Sequence, residues 1–186
     1  MRPDPSPELV FRTAGASDAL CIGVLATQVF LDTYATDGIR PSLAQEVLEQ
    51  LSTNSICALF ADPATSFIVA ERAQHMVAFA QLTFGSIQPL AAVERAVELN
   101  RLYVQGRFTA KGIGKALLHR AEGLAASRGA STLWLTVWTR NQRALAFYAS
   151  QQYQDVGSTM YVFQEEQFEN RVLAKPLQGQ TTPGPT

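Results

Sequence analysis

The chain has 186 residues, of which 47% are hydrophobic and 17% are charged, an ordinary composition for one globular domain. Its 15 basic and 16 acidic residues leave a net charge of −1. Because proteins that bind nucleic acid along its backbone are usually basic, this balance argues against nucleic acid as a partner. A local basic patch would still fit within a neutral total.

The number and context of the cysteines and histidines indicate whether disulfides or a metal site are expected. Cys21 and Cys57 stand in apolar surroundings, so we expect two buried free thiols in a reducing compartment. They form no CxxC pair, and with two histidines in the chain we expect no metal site. No apolar run reaches the roughly 20 residues of a membrane span, and the first ten residues hold no signal-peptide core. We therefore expect a cytoplasmic protein without a membrane partner.

The two ends of the chain differ from its middle. Residues 1–8 carry three prolines and are expected to form a flexible lead-in. Residues 176–186 are rich in Pro, Gly and Thr and are expected to form a disordered tail. A single domain is expected from residue 9 to residue 175.

The first half of this domain predicts a strand, two helices and a hairpin of strands. Ser17 or Asp18 is the candidate cap of the first helix, and Ser42, with Gln45 three residues further on, is the candidate cap of the second. The predicted bounds are 9–14 for the strand, about 18–34 and 42–51 for the helices, and 66–71 and 75–84 for the hairpin.

The second half alternates strand and helix. Gly129 suits the C-terminal cap of a helix, and Asn141 suits the N-terminal cap of the next one. Residues 131–138 are apolar on both faces, as in a buried parallel strand, which predicts a right-handed crossover from residue 97 to 137. The predicted bounds are 96–104 and 131–138 for strands, about 112–127 and 142–151 for helices, and 153–158 and 160–166 for a final antiparallel ribbon.

A cluster of glycine and lysine stands where the strand at 96–104 gives way to a helix. Unpaired N–H groups and the dipole of a helix N-terminus favour a phosphate, and glycine lets the ligand approach the backbone. The cluster is not a Walker A loop, because Ala116 follows Lys115, nor a dinucleotide fingerprint, because Leu117 occupies the place of its third glycine. On these residues alone an ordinary tight turn into a helix remains open. The residues concerned are Lys111, Gly112, Ile113, Gly114 and Lys115.

Read together with the downstream sequence NQRALAFY, this segment resembles the GCN5-related N-acetyltransferase (GNAT) family. The family signature Q/R-x-x-G-x-G/A is matched by residues 109–114, and N-x-x-A-x-x-F-Y is matched by Asn141, Ala144, Phe147 and Tyr148. The resemblance covers about residues 9–163. It implies the α/β fold of this family, a mixed and mostly antiparallel twisted sheet of six to seven strands with about four flanking helices.

The chain departs from the family pattern at three places. Thr109 replaces the usual Gln or Arg, and Ala110 stands where Gly is frequent. Gln152 and Tyr153 replace a common Gly-Phe pair, which we expect to affect packing more than chemistry. Because family members hold the phosphates chiefly through backbone groups, we expect cofactor binding to survive the change at Thr109.

The resemblance implies acetyl-CoA as the cofactor and assigns residues to its parts. The pyrophosphate falls to residues 109–115, namely Thr109, Ala110, Lys111, Gly112, Ile113, Gly114 and Lys115. The pantetheine arm falls to main-chain groups of Leu102, Tyr103 and Val104, and to Asn141.

It also implies the reacting groups. Glu98 is the candidate general base, directly or through a water held by Asn100, and Tyr148 is the candidate acid for the leaving thiolate. Phe30 and Tyr34 are candidate acceptor contacts. A solvated strand carboxylate at Glu98, a core tyrosine at Tyr148 and a core aromatic pair at 30 and 34 remain the alternatives.

The expected reaction is acetylation of a primary amine. Residues 29–38 resemble the same region in polyamine and small-amine acetyltransferases, so a small amine or polyamine is the expected acceptor. A peptide or protein N-acetyltransferase and an acetyl-CoA sensor without turnover remain open, while near-neutral charge disfavours charged transfer RNA. Dimerisation is common in this family, although no feature of the sequence demands a homodimer.

Overall fold

The computed structural model of the chain describes residues 8–90, 93–163 and 166–177. The predicted lead-in therefore lies outside the described residues except for Glu8. Of the predicted tail, Pro176 and Leu177 are described; Pro176 ends a strand, and the Leu177 N–H donates to the Ser131 carbonyl at 2.8 Å.

Seven strands and five α-helices form the described chain. The strands are β1 Leu9–Thr13, β2 Thr65–Arg72, β3 His75–Phe84, β4 Ala96–Val104, β5 Thr132–Trp138, β6 Gln154–Phe163 and β7 Glu166–Pro176. The helices are α1 Ala19–Tyr34, α2 Pro41–Gln50, α3 Thr53–Ala61, α4 Ile113–Ser127 and α5 Gln142–Ser150. Short 3₁₀ turns cover Ala16–Asp18 and Gly106–Phe108.

The strands form one mixed sheet in the order β1-β2-β3-β4-β5-β7-β6. β1 with β2, β5 with β7 and β6 with β7 pair antiparallel, whereas β4 with β5 pairs parallel. The prediction of a mixed, mostly antiparallel sheet is confirmed. So is the parallel pairing across the β4–α4–β5 connection, which a helical crossover requires.

Two parts of the predicted element order are wrong. The sequence predicts two helices before β2 and omits α3, and the ribbon predicted at 153–158 and 160–166 is, up to residue 163, instead the single strand β6. Residues 164 and 165 of that ribbon lie outside the described residues. The strand that pairs with β6 is β7. The sequence does not predict β7, because several of its residues are charged.

The chain divides into two compact units. The first comprises the described residues of Met1–Gln81 and Arg101–Leu118, and the second those of Leu82–Asn100 and His119–Thr186. The single domain expected from residue 9 to 175 stays a prediction.

In the first unit, α1 packs closely on the turn between α2 and α3. Gly23 lies so near this turn that a Cβ atom placed there would stand 2.6 Å from the Leu51 carbonyl oxygen. Ile22 and Ala26 are fully buried on the same helix. A row of ring contacts continues the core, joining Phe60 to Phe67 at 4.7 Å, Phe67 to Phe79 at 6.3 Å and Phe79 to Tyr103 at 5.5 Å.

In the second unit, β5 is buried on both faces, as predicted. Leu133 and Leu135 are buried on one face. Trp134, on the other, joins Ala96 and Val172 in a smaller cluster.

The helix caps agree only partly with the sequence. Asn141 caps α5 by accepting the Ala144 N–H at 3.1 Å, as predicted. Asp18 precedes α1, but its carboxylate accepts from the Gly15 N–H at 2.9 Å. The predicted cap at Ser42 is wrong, because α2 begins one residue earlier with Pro41, whose fixed φ suits a first helical position.

Both cysteines are exposed, so the expectation of buried thiols is wrong. Cys21 adjoins the buried Ile22 on α1, and Cys57 adjoins the buried Ile56 on α3. Neighbouring positions of a helix point about 100° apart, so an apolar sequence neighbourhood does not imply burial.

Among the described helical stretches, Ala16–Tyr34 has the length and hydropathy of a membrane span, with 19 residues and a mean hydropathy of 1.2. A helix packed in a protein core can have the same length and hydropathy, and this helix buries Ile22, Ala26 and Phe30. It is therefore weak evidence for a membrane span.

Candidate functional site

The end of β4 presents main-chain groups on the edge away from β3. The Gln105 N–H donates to the Val77 carbonyl of β3 at 2.9 Å. Backbone groups alternate between the two edges of a strand, so those of Leu102 and Val104 lie on the opposite edge. These are the main-chain groups that the sequence assigns to the pantetheine arm.

Tyr103 is half-buried, and its ring packs against the core. Its ring meets Phe79 edge-on, with centroids 5.5 Å apart. Burial raises the pKa of the Tyr103 phenol, while the neighbouring Arg101 cation acts in the opposite direction. Arg101 itself donates to Gln81, which is buried. The backbone groups of Tyr103 lie on the same edge as those of Gln105, toward β3, so the open edge of β4 is that of Leu102 and Val104.

Between β4 and α4 the chain forms a loop with two residues at positive φ. Ala110 has φ +59° and Gly112 has φ +80°. The first bond of the α4 ladder joins the Ala116 N–H to the Gly112 carbonyl at 3.0 Å. The N–H groups of residues 113–115 precede that bond and carry the positive end of the helix dipole, which suits an anion.

The side chains of this loop differ in their availability. The Thr109 hydroxyl donates to the Gly106 carbonyl at 2.8 Å, so its single hydrogen is used within the turn. Lys111 is exposed, with its ammonium 5.4 Å from the Phe108 ring centroid, and Lys115 is exposed on the first turn of α4. The loop therefore offers backbone N–H groups and mobile cations.

Glu98 belongs to the last pair of residues that joins β4 to β5 in the sheet. The pairs run from Ala96–Thr132 to Glu98–Trp134, although β5 continues to Trp138. Paired residues share a face of the sheet, so the half-buried Glu98 lies on the same face as Trp134. Asn100 follows on this face and accepts the Thr83 hydroxyl at 2.7 Å through Oδ1.

The segment between β3 and β4 is attached to β5 near this face. The indole Nε1 of Trp134 donates to the Ser86 hydroxyl at 3.1 Å, and Val93 packs against the cluster that contains Trp134. The Ser131 N–H donates to the Arg95 carbonyl at 3.1 Å. Ser86 and Val93 of this segment therefore lie beside the face that carries Glu98.

Helix α5 carries the second motif. Asn141 uses its side-chain oxygen to cap the helix, which leaves its amide nitrogen outside the cap. Tyr148 is 8% exposed, with Phe147 and Tyr153 edge-on to it at 5.1 Å and 5.5 Å between centroids. Burial and two edge-on ring contacts hold the ring of Tyr148.

Tyr153 belongs to a polar group that the sequence did not indicate. Its hydroxyl donates to Glu122 Oε1 at 3.1 Å, and Lys175 Nζ donates to the same oxygen at 2.9 Å. Burial, and then the Glu122 carboxylate, raise the pKa of the Tyr153 phenol. The available signal was the tyrosine at a position where the family commonly has phenylalanine.

The aromatic pair on α1 is partly core. Phe30 is 6% exposed and Tyr34 is half-buried, with their ring centroids 4.7 Å apart. Of the two, Tyr34 is therefore the more available to an acceptor. No group of three His, Cys, Asp or Glu side chains within the described residues is arranged to hold a metal ion.

The model of the acetyltransferase (GNAT) family matches residues 31–153, which include β4, the loop, α4 and the α5 motif. The chain belongs to this family. An N-acetyltransferase in the pepI 3' region of Lactobacillus delbrueckii, itself uncharacterized, is 24% identical over 153 residues, covering 82% of this chain and 88% of the relative. An uncharacterized N-acetyltransferase of Mycobacterium tuberculosis is 33% identical over 107 residues, or 58% of this chain and 64% of the relative.

Solved structures agree on the fold. The PaiA N-acetyltransferase of Thermoplasma acidophilum, in complex with coenzyme A, superposes with a TM-score of 0.70 at 20% identity, covering 91% of this chain and 99% of the other. An acetyltransferase of Salmonella typhimurium with its cofactor acetyl-CoA gives a TM-score of 0.69 at 17% identity, covering 96% and 99%.

The predictions of the GNAT family, of its fold and of an acetyltransferase are therefore confirmed. The two complexes support the prediction that acetyl-CoA is the cosubstrate. The narrower resemblance to polyamine acetyltransferases, the cytoplasmic location, the homodimer and the individual site residues stay predictions.

Proposed function

We propose that this GNAT protein transfers the acetyl group of acetyl-CoA to the nitrogen of a primary amine, by direct attack of the amine on the thioester. The observation that carries the proposal is the loop at 109–115. It lies within the segment matched by the family and brings three N–H groups outside the helix ladder together with two exposed lysines.

In this proposal the chain holds acetyl-CoA mainly through backbone groups. The N–H groups at the start of α4 receive the pyrophosphate, with Lys111 and Lys115 adding positive charge. Leu102 and Val104 offer main-chain groups to the pantetheine arm along the edge of β4 opposite β3. Asn141 contributes its side-chain amide nitrogen, because its oxygen is used as the helix cap.

Bound acetyl-CoA supplies an acyl group activated as a thioester, and the remaining work is proton transfer. The acceptor ammonium, with an ordinary pKa of about 10, has to lose a proton before attack. Glu98 takes this proton, directly or through a water placed by Asn100. Its half-buried place at the last β4–β5 pair, on the same face as Asn100, supports this role.

Tyr148 supplies the second proton. As the carbon–sulfur bond breaks, its phenol donates to the departing thiolate of coenzyme A. The nitrogen, now bonded to the acetyl carbon, gives up its second proton to become the neutral amide, and this proton restores the Tyr148 phenol. The fixed ring of Tyr148 supports this role, because a general acid works best when it is already aimed at the atom it protonates.

A small amine or polyamine is the proposed acceptor, with Tyr34 and Phe30 near its entry. Peptide or protein amines are the second candidate. An acetyl-CoA sensor without turnover is the third, and the retention of Glu98 and Tyr148 weighs against it.

The first experiment measures release of coenzyme A thiol from acetyl-CoA with spermidine, tyramine and a short peptide bearing a free N-terminus. Thiol release with any of these amines supports the proposed transferase and identifies the acceptor class. Binding of acetyl-CoA in calorimetry without thiol release for any of them would instead support the sensor.

The second experiment tests the acid role. Tyr148→Phe keeps the packed ring and removes the proton donor, so kcat should fall about 10²-fold or more while the Kd for acetyl-CoA stays within about threefold. Tyr161→Phe, at a more exposed tyrosine on β6, is the matched control and should keep the wild-type kcat. An unchanged kcat in Tyr148→Phe would remove this residue from the acid role.

A further inference from the structure

Tyr153 joins three separate elements of the second unit. It lies just before β6, while its hydrogen-bond partner Glu122 lies on α4 and Lys175 lies on β7. The Lys175 ammonium also lies 5.5 Å from the centroid of the Tyr153 ring. The ion pair is largely removed from water, with side-chain exposures of 21% for Lys175 and 15% for Glu122. Its geometry is therefore held more firmly than that of a surface pair.

Tyr153 is attached to Tyr148 through both its backbone and its ring. The Tyr153 N–H donates to the Tyr148 carbonyl at 3.1 Å, and the two rings meet edge-on at 5.5 Å and 67°. Between them the chain reverses through Gln152, whose φ is +69°. A displaced Tyr153 ring would therefore press on Tyr148, which Phe147 also contacts edge-on at 5.1 Å.

The Tyr153 phenol is not itself a proton donor to the reaction. Its hydrogen is already given to Glu122, and its raised pKa keeps the phenol protonated while Glu122 accepts from it. The hydroxyl therefore acts as a fixed anchor for the ring. A phenylalanine at this position would keep the ring contact with Tyr148 but lose the anchor.

We propose that Tyr153 and Glu122 are positioning residues for Tyr148: the anchored ring of Tyr153 fixes the direction in which the Tyr148 phenol points. The inference rests on the acid role proposed above for Tyr148. It assigns a purpose to the tyrosine at position 153, where the family commonly has phenylalanine. It also gives a reason for a mostly buried ion pair beside the α5 motif.

The test is a double-mutant cycle measured with the fastest amine of the panel. Tyr153→Phe and Glu122→Gln should each lower kcat about three- to tenfold, the factor that one ordinary hydrogen bond represents. The KM for acetyl-CoA should stay within about twofold. In the Tyr148→Phe background neither substitution should lower kcat further, because the phenol they position is absent.

Two further measurements separate positioning from a general loss of structure. Asp155→Asn breaks the ion pair with Arg171 between β6 and β7 and should keep the wild-type kcat. In NMR spectra of protein labelled at tyrosine Cζ, the Tyr148 resonance, assigned from Tyr148→Phe, should shift in Tyr153→Phe and stay in place in Asp155→Asn. Glu122→Gln keeps the Tyr153 ring and replaces the charged acceptor with a neutral amide that forms no ion pair with Lys175, so it weakens the anchor and serves if Tyr153→Phe folds poorly.

The inference is overturned if Tyr153→Phe and Glu122→Gln both keep the wild-type kcat, or if the same loss of kcat appears with and without the Tyr148 phenol. Those outcomes leave the acid role of Tyr148 intact. If Tyr148→Phe alone has no effect on kcat, the acid role itself fails and the positioning role fails with it.

Discussion

Helix α1 carries a glycine at its closest approach to the neighbouring turn, and this contact gives a sharp test of the packing. A Cβ atom at Gly23 would lie 2.6 Å from the Leu51 carbonyl oxygen, and 3.7 Å from Ile56. A backbone oxygen cannot rotate away as a side chain does, so Gly23→Ala forces α1 away from this turn. Gly123 on α4 is the matched control, since a Cβ atom there meets nothing within 4 Å.

Two opposing terms set the size of the effect. Alanine is favoured over glycine inside a helix by about 1 kcal/mol, and this gain applies to both positions. Overpacking of a close contact costs about 1–3 kcal/mol, and this cost applies to Gly23 alone. We therefore expect Gly23→Ala to lower the free energy of unfolding by about 1 kcal/mol and Gly123→Ala to raise it by about 0.5–1 kcal/mol.

Urea unfolding followed by circular dichroism measures both values, with equal m-values showing that the unfolded states are comparable. Helix propensity alone predicts that both alanines stabilise the protein. The packing argument predicts opposite signs. If Gly23→Ala proves as stable as Gly123→Ala, the close approach of α1 to Leu51 is not present in solution.

Two further predictions concern the phosphate loop and the N-terminal ion pairs. Gly112→Ala places a side chain at φ +80°, which costs about 1 kcal/mol, so acetyl-CoA binding should weaken about fivefold in calorimetry. Gly106→Ala, where φ is not positive and space is open, should bind as the wild type does; equal affinities for both variants would contradict the role of the turn. Arg12 lowers the pKa of the Asp18 carboxyl below its unfolded value near 3.9, so this carboxylate stabilises the fold above about pH 4, and the stabilisation is lost as the pH falls. Asp18→Asn should therefore cost about 1 kcal/mol at pH 7 and almost nothing near pH 2 in urea unfolding; an equal cost at both pH values would rule out the ion pair as its cause.

The elements with strong local signals were predictable from the sequence. The α4 pattern places Ile113, Leu117 and Ala121 on one face, and all three are buried. Asn141 was identified as a cap because its side chain can accept a backbone N–H, and it does so. These features depend on residues close together in the chain.

The elements that the sequence concealed depend on distant contacts. Strand β7 contains the charged residues Glu169, Arg171 and Lys175 without a regular alternation, which does not indicate a strand, but its pairing with β5 and β6 makes it an interior strand. Helix α3 buries only Ile56 among its nine residues, so its periodicity is weak. For β7, tertiary pairing and not local preference decides the structure.

The departures from the family pattern fall where the backbone makes unusual demands. Ala110 and Gln152 each stand where the family often has glycine, and both have positive φ, at +59° and +69°. A side chain in this conformation costs about 1 kcal/mol, so the surrounding contacts must maintain it. At Gln152 those contacts include the bond from the Tyr153 N–H to the Tyr148 carbonyl.

Thr109 is the departure that bears most on how acetyl-CoA would be held. A longer Gln or Arg can reach a phosphate, but the Thr109 hydroxyl donates to the Gly106 carbonyl and closes its own turn. With that hydrogen used, the direct donors left in the loop are the N–H groups at the start of α4 and the two lysines. Binding then depends on the backbone conformation at Gly112 more than on the side chain at position 109. This is why Gly112→Ala, and not a change at Thr109, is the substitution expected to weaken the affinity.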